Sequence, residues 1–155
     1  MKSYIVIGLG LFGAETARQL CSLGCEVLAM DVRSELVHQV ANDVTHAVVG
    51  DGQDKEVLRA LGAGNFDCAI IAIGDNLAAS VLTTMNLKEL EVPYIVCKAH
   101  DATHRRGLEK LGVNIIAVES GKTTNVSPAA DYRIQAGDIM VVLGDNKALD
   151  AVQKL

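Results

Sequence analysis

The sequence predicts an α/β protein: a doubly wound parallel sheet covered by helices, followed by a small β-rich C-terminal appendage. Three observations predict it. From Ser3 to Gly112 short apolar runs alternate with helical patterns, the rhythm of strand and crossover helix. Half of the 155 residues are apolar, yet tryptophan is absent and aromatics make up 3%, so the core must be built from Val, Ile, Leu and Ala. That palette suits strands buried on both faces. Beyond Gly112 the rhythm changes to apolar runs separated by polar turns. The expected division is 1–112 for the α/β part and 113–155 for the appendage, with no low-complexity linker between them.

Ser3–Gly8 is the first strand. Leu11–Leu23 carries Ala14, Ala17 and Leu20 on one face at helical spacing, and Gly24 stops it. Cys25–Met30 is a second apolar strand ending in Asp31. Arg33–Ala41 is a short helix with Ser34 as its candidate cap. Thr45–Val49 is the third strand, followed by Gly50-Asp51-Gly52. Asp54–Leu61 is helical until Gly62-Ala63-Gly64 breaks it. Phe66–Ile73 is the fourth strand, ending in Gly74-Asp75-Asn76, and Leu77–Leu90 is a long helix. Pro93 introduces a fifth strand, Tyr94–Lys98, and Ala102–Leu111 is helical up to Gly112. In the tail Asn114–Val118, Thr123–Val126 and Asp138–Leu143 read as strands and Lys147–Leu155 as a final helix.

Composition excludes several functions. A formal net charge of −5 without a clustered basic face argues against nucleic acid. The four cysteines, Cys21, Cys25, Cys68 and Cys97, form no CxxC pair and sit in apolar segments, as buried free thiols of a reducing cytosol do. No signal pattern precedes the first strand, and no apolar run reaches the ~18 residues that span a bilayer. A soluble, cytoplasmic protein without direct membrane insertion is expected, with any membrane role reached through a partner.

The first strand runs into Gly8, Gly10 and Gly13, a G-x-G-x-x-G loop between strand and helix. In that context Gly8 permits the tight turn, Gly10 lets backbone approach a pyrophosphate, and Gly13 lets helix pack on strand. The helix N-terminus offers unpaired N–H groups to phosphate. Asp31, ~20 residues on at the end of the second strand, stands where an acid hydrogen-bonds ribose hydroxyls. An acid there repels a 2′-phosphate and favours NAD(H) or an adenosine nucleotide, a preference that neighbouring Arg33 weakens. Leu11 and Phe12 in the loop and Val32 beside the acid complete this part of the site. Gly50 and Asp51 follow the third strand on the same sheet edge, where an adenine or its ribose would lie. Ile73, Gly74 and Asn76 follow the fourth strand, facing the second half of a dinucleotide or the phosphates. Lys98 ends the fifth, as a phosphate contact or a solvated strand end.

No catalytic constellation accompanies the loop. Tyr94 and Lys98 reproduce the Y-x-x-x-K spacing of short-chain dehydrogenases, where a helix brings i and i+4 together. On a strand four residues separate them by ~13 Å. His100 and His104, at i and i+4, lack a third metal ligand, so surface histidines explain them equally well; His38 and His46 are isolated. Neither a catalytic nor a metal site is expected.

The runs IVIGLGLFG, GCEVLAMD, THAVVGD, FDCAIIAIGDN and LTTMNLKELEVPYIVCKAHDATHRRGLEKLG together resemble the nucleotide-binding N-terminal lobe of RCK (KTN, or TrkA-N) domains, the regulatory subunits of Trk/Ktr potassium uptake systems. The resemblance covers Met1 to Gly112 and implies a Rossmann-type lobe. It implies a homodimer, with assembly into rings beneath a membrane potassium channel or transporter subunit, gated by NAD(H), ATP or ADP. It places Gly8, Gly10 and Gly13 at the phosphates, Asp31 at the ribose, Asp51 near the adenosine, and Ile73, Gly74 and Lys98 near the far end of the ligand. Helices over Asp75–Leu90 and Ala102–Leu111 would contribute to the dimer face. The tail is similar to the closing half of the family's C-terminal lobe. Between Gly112 and Val113 the family carries several tens of residues that this chain lacks, including a crossover helix exchanged between subunits. One departure falls at Leu11, where relatives that read ATP across the dimer often carry Arg; an aliphatic side chain cannot pair with a γ-phosphate.

The expected function is that of a regulatory subunit, not an enzyme, held at the inner face of the membrane through its partner. A small NAD-dependent oxidoreductase and a redox-sensing NAD-binding module are the competing readings. Turnover with NAD marks the first of these, and ligand-dependent assembly without turnover marks the regulator.

Overall fold

The computed structural model describes residues 2–74, 76–99, 110, 114–115, 118–120 and 123–125. Its elements follow the expected order: β1 (Ser3–Ile7), α1 (Leu11–Ser22), β2 (Glu26–Asp31), α2 (Ser34–Val40), β3 (His46–Val49), α3 (Lys55–Ala60), β4 (Cys68–Ile71), α4 (Leu77–Glu89), β5 (Tyr94–Cys97) and β6 (Asn114–Ile115). A short 3-10 turn, Ala63–Asn65, links α3 to β4. The six strands are parallel in the order β3-β2-β1-β4-β5-β6. The order reverses beside β1, which makes this a doubly wound sheet with its switch point between β1 and β4.

The chain divides into two compact units, Met1–Ile115 and Ile116–Leu155. In the second, β7 (Val118–Ser120) pairs antiparallel with β8 (Thr123–Asn125) in a two-stranded ribbon. The strand expected over Asn114–Val118 is therefore two pieces. Asn114–Ile115 joins the parallel sheet beside Val96 and Cys97, and Val118 starts the ribbon. The expected helices over Ala102–Leu111 (apart from Lys110) and Lys147–Leu155, the strand over Asp138–Leu143, and the pair His100 and His104 lie outside the described residues.

Period-2 alternation sends successive strand residues to opposite faces, and both faces are covered. Ile5, Ile7, Met30, Ala69, Ile71 and Cys97 form one buried layer with Leu58 of α3 and Leu87 of α4. Val6, Val27, Ala29, Ile70 and Val96 are buried on the other face. Each fully buried Ile, Leu or Val contributes about 1.5–3 kcal/mol relative to exposure, and these layers hold the strand ends in one plane.

Helix α4 is built against the usual pattern. Ser80, Thr83 and Thr84 are fully buried, while Leu77, Leu82 and Met85 are 51%, 46% and 42% exposed. The Thr84 hydroxyl donates to the Ser80 carbonyl at 2.7 Å and lies 3.3 Å from the Cys97 sulfur. Among the described residues no helix is long and apolar enough to cross a membrane.

Helix α2 begins one residue later than its expected cap implies. Arg33, not Ser34, is the N-cap, and it makes no side-chain capping bond. The Asp31 carboxylate takes the Arg33 N–H at 2.8 Å and holds that residue extended, so the first turn starts at Ser34.

Candidate functional site

The carboxyl ends of β1 to β5 converge on one edge of the sheet. After β1 the chain turns at Gly8, whose φ of +95° lies in the region that favours glycine. Its N–H donates to the Met30 carbonyl at 2.8 Å. A Cβ on Gly8 would stand 2.9 Å from the Ala72 backbone carbon, so the turn is pressed against the end of β4. A Cβ on Gly13 would stand 1.8 Å from the Gly8 carbonyl oxygen, so only glycine lets α1 approach the loop this closely. A Cβ on Gly10 would meet no atom within 4 Å. The three glycines thus answer to three different constraints: a backbone angle, a helix contact, and open space above the loop.

Gly10 is also the N-cap of α1, with no side-chain capping bond and no acidic residue in the first turn. The first helical hydrogen bond runs from the Ala14 N–H to the Gly10 carbonyl at 3.0 Å. The N–H groups of Leu11, Phe12 and Gly13 precede it and have no helical acceptor. With the dipole of a 12-residue helix behind them, they favour an anion.

Asp31 closes the other side of the loop. It is 6% exposed, and its two carboxylate oxygens are both engaged. Oδ2 accepts the Leu9 N–H at 2.7 Å, and Oδ1 accepts the Arg33 N–H at 2.8 Å, with Arg33 Nε at 3.5 Å. A carboxylate has about four lone-pair sites, so each oxygen keeps capacity for one hydroxyl donor.

The loop after β3 is folded by its own side chains. Asp51 Oδ1 accepts the Gln53 N–H at 2.9 Å, and Asn86 of α4 donates to the carbonyls of Gly52 (3.1 Å) and Gln53 (2.9 Å). A Cβ on Gly50 would stand 3.1 Å from Met30 Sδ, at the underside of the site. After β4, Asn76 caps α4 by accepting the Ala79 N–H at 3.0 Å. Unlike α1, α4 has its N-terminus closed by its own side chain. After β5 the Lys98 N–H donates to the Ile71 carbonyl at 2.8 Å, and its ammonium lies 3.4 Å from where a Gly74 Cβ would be.

These loops enclose a cleft of about 420 Å³, within the ordinary range for small-molecule sites. Gly8, Gly10, Leu11, Phe12, Asp31, Val32, Arg33, Gly50, Asp51, Ile73, Gly74, Asn76 and Lys98 all line it. Gly13 alone of the residues singled out from the sequence does not, because its place is beneath the loop against Gly8. Ile7, Gly52, Gln53, Ala72 and Ala79 line the cleft without having been anticipated. Ile7 and Ala72 are the strand residues next to the expected loops, and the other three come from the bend after Asp51 and the first turn of α4. The charged side chains on the wall are Asp31, Asp51, Arg33 and Lys98.

Tyr94 stands at the start of β5, 64% exposed, at the opposite end of that strand from Lys98. The Y-x-x-x-K pair is not assembled at the cleft. Among the described residues there is no group of three His, Cys, Asp or Glu placed to hold a metal. The four cysteines are free thiols. Burial pushes the thiols of Cys68 and Cys97 up to about 11, which keeps both protonated and unreactive near neutral pH.

Residues 4–119 match the TrkA-N domain and residues 106–155 the TrkA-C domain. The Ktr system potassium uptake protein C of Bacillus subtilis is 46% identical over 115 residues, 74% of this chain and 52% of that protein. The chain thus spans about half the length of the curated relatives it matches. Among solved structures, the AMP-bound Kef C-terminal domain of Shewanella denitrificans is 27% identical with a TM-score of 0.62, over 72% of this chain and 68% of that one. The GsuK channel bound to NAD shares the fold with a TM-score of 0.64 at 15% identity, over 74% of this chain and 21% of that one.

Proposed function

This chain belongs to the TrkA-N domain family, and from that premise we propose that it is a nucleotide-binding regulatory subunit of a potassium channel or transporter. The observation that carries the proposal is the uncapped N-terminus of α1, with open space above Gly10, facing the Asp31 carboxylate across one cleft. The backbone N–H groups of Leu11 and Phe12 hold the phosphates. Asp31 accepts from ribose hydroxyls with the lone pairs that Leu9 and Arg33 leave free. The ligand is NAD(H) or ATP/ADP. Val32 and Asp51 border its adenosine end, and Gly74, Asn76 and Lys98 border the far end.

The role is regulatory rather than catalytic. Asp31 and Asp51 spend their carboxylates on their own loops, so neither is a free proton acceptor beside the far end of the cleft. Regulation works by population shift: the ligand favours the assembly that binds it better. The exposed Leu77, Leu82 and Met85 of α4 support a homodimer, and ring assembly, through that helix. The partner is a membrane potassium-conducting subunit, and this chain sits at its inner face. Residues 1–112 form the nucleotide lobe of this reading, and 113–155 a shortened C-terminal lobe.

Calorimetric titration with NAD, NADH, ATP, ADP and AMP, run beside light scattering, tests the proposal. Nucleotide binding that changes the oligomer without turnover is expected. Absence of binding by all five, or steady oxidation of a substrate with NAD, overturns it.

A further inference from the structure

We infer that Asn86 is a positioning residue that fastens α4 to the wall of the cleft and carries nucleotide occupancy to the exposed apolar face of that helix. The inference rests on the nucleotide reading above and adds the regulation of the same site. Gly52 and Gln53 line the cleft, and the Asn86 amide nitrogen donates to both of their carbonyls, at 3.1 and 2.9 Å. Both hydrogens of one side chain are spent on two consecutive carbonyls of a distant loop. Asparagine is a poor helix former, and it sits here inside a helix of 13 residues, where the two bonds offset that cost.

Loop and helix also touch directly. A Cβ on Gly52 would stand 2.7 Å from Thr83 Cγ2, so the loop lies flat on α4 with no side chain between. One turn away, Lys55 of α3 pairs with Glu89 of α4. Helix α4 therefore meets the cleft twice: at its N-terminus through Asn76 and Ala79, and halfway along through Asn86.

The rest of its seat is less fixed. Ser80 and Thr83 are fully buried, and their hydroxyls have no hydrogen-bond partner among the described residues. A face of small hydroxyl side chains resists a small displacement less than interlocked Leu and Ile do. Any displacement is read at once on the opposite face, where Leu82 and Met85 are exposed. The chain of contacts from cleft to loop, Asn86 and outer face is contiguous.

Amide hydrogen exchange read by mass spectrometry, with and without saturating ADP or NADH, tests the inference on the wild-type chain and on Asn86→Ala. Alanine is the best helix former, so the variant keeps α4. In the wild type, ligand slows exchange both in the 50–53 loop and in residues 82–89. In Asn86→Ala the loop still responds, the 82–89 response is lost, and nucleotide affinity falls about fivefold, as reciprocal coupling requires. A wild-type loop that responds while 82–89 does not overturns the inference and leaves the nucleotide reading standing. So does a full 82–89 response in Asn86→Ala. A wild-type chain in which neither nucleotide binds and neither segment responds overturns the nucleotide reading, and the inference with it.

Discussion

The Asp31 carboxylate accepts the N–H of Leu9 at 2.7 Å, 22 positions back along the chain and inside the glycine loop. The acid at the end of β2 therefore shapes the loop as well as facing the cleft. Asp31→Ala removes acceptors from the N–H groups of Leu9 and Arg33 and any bond to a ribose. Nucleotide affinity is expected to fall by about 1–3 kcal/mol, the scale of a lost charged hydrogen bond, and stability to fall as the buried Leu9 N–H loses its partner. Asp31→Asn separates the effects: its single amide oxygen serves Leu9 or the ribose, but not as a charge. Calorimetry beside urea unfolding reads both, and unchanged affinity in folded Asp31→Ala removes the residue from the site.

Two glycines three positions apart should give opposite phenotypes. Gly10→Val places its side chain in open space, so the protein should fold with near wild-type melting temperature and lose nucleotide binding by steric exclusion of phosphate. Gly13→Val drives a Cβ to 1.8 Å from the Gly8 carbonyl oxygen and should unfold the lobe or dislocate α1. Circular dichroism melts and nucleotide titration distinguish the two. Retained binding in folded Gly10→Val would place the ligand elsewhere.

The parts of this design legible in the sequence are those fixed by local rules. A strand running into spaced glycines, and an acid closing the next strand, are local patterns; they led to Gly8, Gly10 and Asp31 on the cleft wall. Gln53 and Ala79 were not legible, because the Asp51 turn, the Asn86 bonds and the Asn76 cap bring them there, and two of these three are set by the neighbourhood of α4. The second role of Asp31 was hidden for the same reason: a bond across 22 positions leaves no periodic trace. Strand β6 is two residues long, too short for alternation to reveal that it belongs to the parallel sheet. Helix α4 buries hydroxyls and exposes Leu82 and Met85, so hydrophobic spacing does not show which side meets the sheet.

Acid sensitivity should be traceable to the opposite edge of the sheet. Asp67 accepts the Ser3 N–H at 2.7 Å and the Ser3 hydroxyl at 3.1 Å. The backbone bond, then the hydroxyl bond, hold its carboxyl below the ordinary value of 3.8. A carboxyl lowered on folding stabilises the fold above its unfolded value, and that contribution is lost as pH falls through the lower folded value. The wild type should therefore lose its advantage over Asp67→Asn progressively below about pH 4, in urea midpoints measured across the acid range. Parallel curves for the two proteins would deny the Asp67–Ser3 pair this role.

Leu11 is 85% exposed at the rim of the cleft, directly after the N-cap of α1. An arginine there would set a fixed cation near a terminal phosphate, worth roughly 1.5–3 kcal/mol as a charge-assisted bond. Leucine supplies none of this. Of the two cations on the cleft wall, Arg33 is paired with Asp31, which leaves Lys98 as the candidate for the far end of the ligand. ATP and ADP should therefore bind with affinities within about tenfold, since 1.4 kcal/mol is one decade. Leu11→Arg should raise ATP affinity more than ADP affinity, provided the loops of two copies meet. Its exposure means that the substitution disturbs no packing, so a change in the ATP/ADP ratio reports on phosphate recognition alone. A hundredfold preference for ATP in the wild type would contradict this account and assign the γ-phosphate to another cation, which Lys98→Ala would then identify by abolishing the preference.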